Sequence, residues 1–175
     1  MTDRDDCNAV RLVPVCPQSE LGLVDALREL SQSAFSDFGS YRETIDHWLT
    51  SDHAVTLCAV EDTQPVGFIT YVYRRLRDQV YGEIIALAVA SSARRRGIGQ
   101  RLFEQAVTAL KSGAAAVGAT CIELNVSHKN ASAQRLFFKH GFSLVGSSGR
   151  YPNGDRANRM TLHLDSESLP PAASQ

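Results

Sequence analysis

The chain has 175 residues, which is enough for one domain with a substantial hydrophobic core. Its composition, 43% hydrophobic and 21% charged, is that of an ordinary globular protein. Eighteen basic and nineteen acidic residues nearly cancel, which argues against nucleic acid or an anionic membrane as a partner. The N-terminus has no apolar run, and no later stretch approaches the ~20 apolar residues of a membrane span. We therefore expect a cytoplasmic protein with no membrane or nucleic-acid partner.

The cysteines and histidines do not form a metal-binding pattern. The four cysteines include no CxxC pair and the five histidines include no HExxH motif, so we expect no metal site. Cys16, Cys58 and Cys121 lie in apolar, strand-like segments, which favours small buried side chains.

Hydrophobic periodicity predicts a single domain over residues 9–165. Residues 1–8 and 166–175 are polar or contain proline, so we expect disordered tails there. Between the tails, the hydrophobic period alternates between that of strands and that of helices.

The first half of the domain is expected to contain a strand, two helices and three further strands. Residues 10–15 alternate apolar and polar side chains, as a strand does. A helix is expected from Ser19, a plausible N-cap, because apolar residues recur after it at helical spacing. Further elements are a short helix at 41–49, a hairpin of 54–60 and 66–73, and a central strand at 81–90. The central strand is richly apolar and should be buried on both faces.

The second half continues with a helix, a strand, a helix and two strands. The long helix should have its buried stripe at Ile98, Leu102, Ala106 and Leu110. A strand at 121–126 precedes a helix that begins near Asn130 and is closed by Gly141. The last strands are expected at 142–145 and 157–164. This order predicts a mixed α/β (α+β) fold with a largely antiparallel first half.

Residues 94–99, Arg-Arg-Arg-Gly-Ile-Gly, lie between the central strand and the long helix. The first turn of a helix offers unpaired N–H groups and the positive end of the helix dipole. Gly97 and Gly99 let the backbone approach a ligand, and the arginines add donors suited to phosphate oxygens. A dinucleotide fingerprint would need glycine where Leu102 stands, and no P-loop Gly-Lys-Ser/Thr is present. The segment alone indicates either a diphosphate site or the solvated start of a helix.

Three segments at fixed separation resemble the GCN5-related N-acetyltransferase (GNAT) superfamily. They are Leu87-Ala88-Val89, Arg94-x-x-Gly97-x-Gly99, and Asn130-x-x-Ala133-x-x-Leu136-Phe137 followed by Gly141-Phe142. The resemblance implies a mixed, mostly antiparallel sheet of about seven strands with a V-shaped splay, flanked by about four helices. It also implies an acyltransferase that moves the acetyl group of acetyl-CoA to a primary amine by direct transfer in a ternary complex.

The resemblance further implies a coenzyme A site. The backbone of Leu87, Ala88 and Val89 would pair with the pantetheine arm, and the amide near Val89 would serve as an oxyanion donor to the thioester carbonyl. The pyrophosphate would be held mainly by the backbone of Arg94, Arg95, Arg96, Gly97, Ile98, Gly99 and Gln100. The later helix would contribute Asn130, Ala133 and Phe137, although Asn130 is equally consistent with a plain N-cap.

An acceptor amine must lose its proton before it attacks, so a base is expected. Glu83 stands four residues before Leu87, where some superfamily members, notably histone-type acetyltransferases, have a catalytic glutamate. By strand period Glu83, Ile85, Leu87 and Val89 would share one face, subject to a bulge. An apolar strand beside a cleft would raise the pKa of the Glu83 carboxyl. The alternative is a charged residue that faces water at a strand end.

The general acid departs from the family pattern. Many relatives have tyrosine, which protonates the leaving thiolate, where Phe137 stands, and phenylalanine cannot donate a proton. Because a thiol of pKa ~8.5 leaves with little assistance, this change need not abolish activity. Tyr151 or solvent could supply the proton. His128 and His140 are weaker candidates for the base.

The sequence leaves the acceptor open. Residues 150–160 resemble the closing turn and strand of ribosomal-protein-type N-terminal acetyltransferases, but Asn125 and Phe137 replace that subfamily's glutamate and tyrosine. We therefore favour a small-molecule amine over a peptide N-terminus. A non-catalytic acyl-CoA-binding sensor is the alternative from another class. Homodimers are common in the superfamily, but no residue here argues for one.

The acceptor side of the superfamily lies around the first two helices. Here Phe35, Phe38, Tyr41 and Trp48 could line an apolar acceptor cleft. Aromatic residues at this spacing are also typical of a core, and the sequence does not separate the two.

Overall fold

The computed structural model describes residues 10–164, so both predicted tails lie outside the described residues. The elements follow the predicted order. They are β1 (Arg11–Pro14), α1 (Leu21–Ala34), α2 (Tyr41–Leu49), β2 (Ala54–Glu61), β3 (Gln64–Leu76), β4 (Gln79–Val89), α3 (Ile98–Val117), β5 (Ala119–Ser127), α4 (Ala131–Lys139), β6 (Ser143–Arg150) and β7 (Arg156–His163). Short 3₁₀ turns precede α2 and α3. No helix in residues 10–164 is long and apolar enough to cross a membrane.

The seven strands form one sheet in the order β1-β2-β3-β4-β5-β7-β6. Every neighbouring pair is antiparallel except β4 and β5, which run parallel. Residues of α1 and α2 pack on one face of the sheet, and residues of α3 and α4 pack on the other. Strand β4 contributes Ile84 to the α3 side and Ala86 to the α1 side, so it is buried on both faces as predicted. The predicted mixed α/β class is confirmed.

The start of α1 differs from the prediction, and Ser19 is not its N-cap. The helix begins at Leu21 after Glu20, and no side chain caps it. The N–H of Ser19 instead bonds the Cys16 carbonyl in a preceding turn, and the Glu20 carboxylate accepts from the Cys16 N–H at 2.7 Å. Cys16 is exposed, contrary to expectation, because it belongs to this turn; Cys58 is buried and Cys121 half-buried.

Helices α3 and α4 confirm the sequence patterns. The predicted α3 stripe is fully buried. Asn130 caps α4 by accepting a hydrogen bond from the Ala133 N–H at 3.1 Å. Gly141 adopts φ +85°, which favours glycine, and the Phe142 N–H bonds the Phe137 carbonyl at 3.1 Å to close the helix.

Strand β4 contains a bulge and then parts from β5. Thr70 of β3 lies opposite Ala86 and Tyr71 lies opposite Ile84, so Ile85 is the extra residue. The pairing of β4 with β5 ends where Ile84 meets Leu124, which leaves a splay between the two strands beyond that point.

The bulge, to which the strand-period expectation is subject, divides Glu83, Ile85, Leu87 and Val89 between the two faces of the sheet. Glu83 lies opposite Val72, which packs on the α1 side, and Ile85 packs there too. Leu87 and Val89 pack on the α3 side. The extra residue shifts the alternation of side chains by one position, which strict period-2 counting does not include.

Candidate functional site

The splay opens into three connected spaces, which we call the α3 groove, the inner cavity and the hairpin groove. The α3 groove, of about 620 Å³, runs from the edge of β4 to the start of α3. It is lined by most of the residues predicted to hold a cofactor: Leu87, Ala88, Val89, Arg94, Arg95, Gly97, Ile98, Gly99, Gln100, Asn130 and Ala133. Thus β4, the loop before α3 and the start of α4 meet at one surface.

The backbone before α3 is shaped for an anion. Arg95 and Gly97 both adopt left-handed conformations, with φ of +63° and +77°. Gly97 is the N-cap of α3 and has no side chain to satisfy the N–H groups of the first turn. Those N–H groups and the helix dipole therefore remain available to a negatively charged group in the groove.

The three arginines of the loop have different roles in the structure. The Arg94 Nε donates to the Val89 carbonyl at 3.1 Å. Arg96 lies outside the groove and pairs with Glu61, and this contact lowers the pKa of the Glu61 carboxyl. Arg95 lines the groove and has no hydrogen bond or ion pair with any residue between 10 and 164. Of the three loop arginines, Arg95 alone has a guanidinium without a partner among the described residues.

The inner cavity, of about 100 Å³, lies beneath the α3 groove. The two spaces share the lining residues Phe35, Phe38, Leu87, Asn130 and Ala133. Phe137, predicted to touch the cofactor, is buried and lines this inner cavity rather than the groove. The cavity is largely apolar, so a reacting group inside it is shielded from water.

Two tyrosines from distant parts of the chain meet at the inner cavity. The Tyr41 hydroxyl donates to the carbonyl of the bulge residue Ile85 at 2.7 Å. The Tyr151 ring packs edge-on against Phe38 and Tyr41, with centroids 4.8 and 5.4 Å apart. Tyr151 bonds no described residue through its hydroxyl, and burial raises its pKa to about 12. It therefore keeps its proton at neutral pH.

Asp155 holds the β6–β7 turn that carries Tyr151. The Tyr151 N–H donates to the Asp155 carbonyl at 2.8 Å. The Asp155 carboxylate accepts from the Ser127 hydroxyl at 3.1 Å and forms an ion pair with Lys129. Lys129 and then Ser127 lower the pKa of this carboxyl. The turn is thus fastened to the end of β5.

The hairpin groove, of about 310 Å³, adjoins the inner cavity. Its lining residues come from α2, β5 and the β6–β7 hairpin: Ser40, Tyr41, Thr44, Asn125, Ser148, Arg150, Tyr151, Pro152 and Ala157. Tyr41, Asn125 and Tyr151 line the inner cavity as well. The Asn125 side-chain oxygen accepts from the Ser148 hydroxyl at 2.6 Å.

Of the four aromatic residues considered for a cleft, three line these spaces and one does not. Phe35, Phe38 and Tyr41 line the inner cavity, whereas Trp48 packs against the core on the α1 side. Sequence analysis missed Ser148 and Arg150, because a hairpin that folds back onto α2 leaves no periodic signal.

The predicted bases lie outside the three spaces. The Glu83 carboxylate accepts from Arg74 at 2.8 Å and lines none of the spaces. His128 accepts from the Arg156 N–H, and His140 contacts the Leu136 carbonyl and Glu104. No group of three or more metal-ligating side chains occurs within residues 10–164.

Comparison with known proteins identifies a family. The chain matches the family model described as Acetyltransferase (GNAT) family over residues 24–142. A curated relative, the mycothiol acetyltransferase of Beutenbergia cavernae, is 30% identical over 95 residues, covering 54% of this chain and 31% of that protein. The chain therefore spans about a third of the length of this relative.

Solved structures share the fold at low sequence identity. The structure of the NatC complex bound to Gag peptide and CoA matches with a TM-score of 0.72 at 24% identity, covering 89% of this chain and 99% of that one. The ribosomal-protein-S18-alanine N-acetyltransferase from Escherichia coli matches with a TM-score of 0.69 at 16% identity, covering 95% and 99%.

Proposed function

Because the chain belongs to the acetyltransferase (GNAT) family, we propose that it moves the acetyl group of acetyl-CoA to a primary amine by direct transfer in a ternary complex. One observation carries this proposal. The inner cavity shares one set of lining residues with the α3 groove and a different set with the hairpin groove, so two substrates can reach it through separate grooves. An acyl group and an amine held in contact there need no covalent enzyme intermediate.

The α3 groove is the proposed site for acetyl-CoA. The N–H groups at the start of α3 and the Arg95 guanidinium would hold the pyrophosphate, and the β4 edge at residues 87–89 would pair with the pantetheine arm. The amide near Val89 would donate to the thioester carbonyl. Arg96 would support the loop through Glu61 rather than touch the cofactor, and Phe137 would form an apolar wall around the acetyl group.

Tyr151 is the proposed general acid. Its hydroxyl is unpartnered among the described residues, lies at the junction of the inner cavity and the hairpin groove, and is protonated at neutral pH. It could thus return a proton to the leaving thiolate in place of the tyrosine that Phe137 replaces.

Glu83 is the proposed general base, acting through a water molecule. Its carboxylate does not line the inner cavity, but it is near enough to Tyr41 to contribute, after burial and Tyr151, to raising the pKa of that hydroxyl. Arg74 holds this carboxylate in an ion pair at 2.8 Å, which fixes its position near Tyr41.

A small-molecule amine is the proposed acceptor. The hairpin groove, at about 310 Å³, is at the small end of the ~300–1,000 Å³ range of small-molecule sites. A peptide acceptor would require the groove to hold further residues besides the amine, and its small volume disfavours this. Asn125 also stands where a ribosomal-protein-type enzyme would have glutamate.

A matched pair of variants tests the enzyme proposal. In Glu83→Gln, release of free CoA thiol with a broad amine panel should fall ~10²-fold or more, while acetyl-CoA binding persists. Glu123→Gln is the control, because Glu123 lies beside Glu83 on β5 and lines none of the three spaces. If no amine releases thiol from the wild-type protein that has bound acetyl-CoA, the chain is an acyl-CoA-binding sensor and the proposal is wrong.

A further inference from the structure

The lining of the hairpin groove carries a positive charge and no negative charge. Arg150 is the only charged residue among its nine lining residues, and no carboxylate lines it. The other polar groups are the Asn125 amide and the hydroxyls of Ser40, Tyr41, Thr44, Ser148 and Tyr151. A groove of this kind offers hydrogen-bond donors and positive charge to whatever lies in it.

The Arg150 guanidinium is free to bind an anion. One nitrogen, Nη1, donates to the Gly154 carbonyl at 2.7 Å, which orients the side chain along the hairpin turn. Among residues 10–164, no carboxylate lies within ion-pair distance of it, whereas Arg74 and Arg96 are each paired with a glutamate. A guanidinium has five N–H donors in a planar fork, so most of those of Arg150 remain available.

Resting on the proposed function, we propose that the acceptor is a small amine that also carries an acid group, a carboxylate or phosphonate, and that Arg150 binds this group. The amine would then enter the inner cavity beside Asn125 and Tyr151, which line both spaces. Planar oxyanions match the guanidinium fork in two parallel hydrogen bonds. A polycationic amine would instead place positive charge beside Arg150 with no carboxylate in the groove to offset it.

Pairs of amines that differ only in the acid group test this inference. The probes are β-alanine and its amide, 2-aminoethylphosphonate and ethanolamine, and spermidine as the polycation. The wild-type protein should acetylate at least one acid with a kcat/KM ~10-fold or more above its counterpart without the acid group and above spermidine. Arg150→Gln should lower kcat/KM for that acid ~10-fold or more, mostly through KM, and lower it for the counterpart much less.

Two further variants isolate the role of the fork. Arg156→Gln is the matched control, since Arg156 is exposed, lies opposite Arg150 on β7 and does not line the groove. This variant should leave kcat/KM unchanged for both members of the pair. Arg150→Lys keeps the positive charge but lacks the planar guanidinium, so it should retain only part of the wild-type preference for the acid.

The outcomes separate this inference from the proposed function. If spermidine or the amines without an acid group are acetylated as efficiently as the acids, or if Arg150→Gln affects both members of a pair equally, the acid-group inference is wrong while the acetyltransferase proposal stands. If no probe and no amine of a broad panel releases CoA thiol, the proposed function fails and this inference fails with it.

Discussion

The α3 groove and the hairpin groove are built by different means. The α3 groove takes its anion site from one continuous stretch of backbone, residues 94–100, whose conformation is set by Gly97 and the start of α3. The hairpin groove is formed by side chains of α2, β5 and the β6–β7 hairpin, elements far apart in sequence. A site made of backbone tolerates changes of side chain, whereas a site made of side chains does not. Under the proposed function, this difference would account for a donor groove that follows a family pattern and an acceptor groove that departs from it.

The comparison predicts where single substitutions should act. A change of backbone conformation should damage the α3 groove, and removal of one hydroxyl should damage the inner cavity or the hairpin groove without affecting acetyl-CoA binding.

After Glu83→Gln, the largest effect is expected from Tyr151→Phe. Loss of the proposed proton donor should lower kcat ~10–100-fold, toward the low end of general acid effects because a thiolate is a good leaving group. The Kd of acetyl-CoA should change less than ~3-fold. Burial raises the Tyr151 pKa to about 12, so the wild-type rate should not fall through ionisation of this group below pH ~11. An unchanged kcat would show that Tyr151 is not the general acid.

Gly97→Val should weaken acetyl-CoA binding ~10-fold or more by titration calorimetry. An added Cβ meets no protein atom within 4 Å at Gly97, but φ of +77° strains a β-branched residue by ~1–3 kcal/mol. Relief of this strain would reshape the anion site. Arg95→Ala keeps the loop conformation and should weaken acetyl-CoA binding less than ~3-fold.

Gly118→Val is the control for Gly97→Val. Gly118 follows the other end of α3, has φ of +71° and also has no atom within 4 Å of an added Cβ. This variant should destabilise the protein to a similar degree yet leave acetyl-CoA affinity unchanged. If Arg95→Ala weakens binding more than Gly97→Val does, the α3 groove depends on side chains and the comparison fails.

Tyr41→Phe should have an intermediate effect on turnover. A neutral hydrogen bond contributes ~0.5–1.5 kcal/mol, so loss of the bond to the Ile85 carbonyl should lower kcat ~2–10-fold by loosening the bulge beside the inner cavity. Tyr73→Phe is matched, because the Tyr73 hydroxyl also donates to a backbone carbonyl, that of Leu110, at 2.5 Å, away from the three spaces. Equal losses of kcat in both variants would indicate general destabilisation.

The smallest effect is expected from Asp155→Asn, a loss of thermal stability that should depend on pH. Lys129 and Ser127 lower the pKa of Asp155 below 3.8, so this carboxylate stabilises the fold above about pH 3.8 and ceases to do so as pH falls through its folded-state pKa. The variant should melt slightly below the wild type at pH 7, and the gap in Tm should narrow as pH falls below 3.8. A gap that is unchanged down to the lowest pH at which the protein stays folded would mean that the ionised carboxylate is not its cause.

Much of this architecture can be predicted from the sequence, because it depends on local rules. Apolar periodicity gives the elements, and the cap at Asn130 and the stop at Gly141 depend on near neighbours. Eleven of the thirteen predicted cofactor residues line one groove, because a strand, a loop and a helix that follow one another in sequence also meet in space.

What could not be predicted depends on distant contacts. The position of the bulge, at Ile85, follows from how β4 pairs with β3, and it places Glu83 on the face opposite Leu87. Arg96 turns from the groove because Glu61, thirty-five positions earlier, lies beside it. The Ser148–Asn125 bond and the position of Arg150 require the β6–β7 hairpin to lie beside β5 and α2.

The central claim is that donor and acceptor occupy two grooves at once and meet in the inner cavity. Initial-velocity kinetics with both acetyl-CoA and amine varied test it most directly. Intersecting double-reciprocal lines are predicted, since both substrates must be bound before the acetyl group moves. Parallel lines would mean that the protein takes up the acetyl group before the amine binds, and would contradict the account.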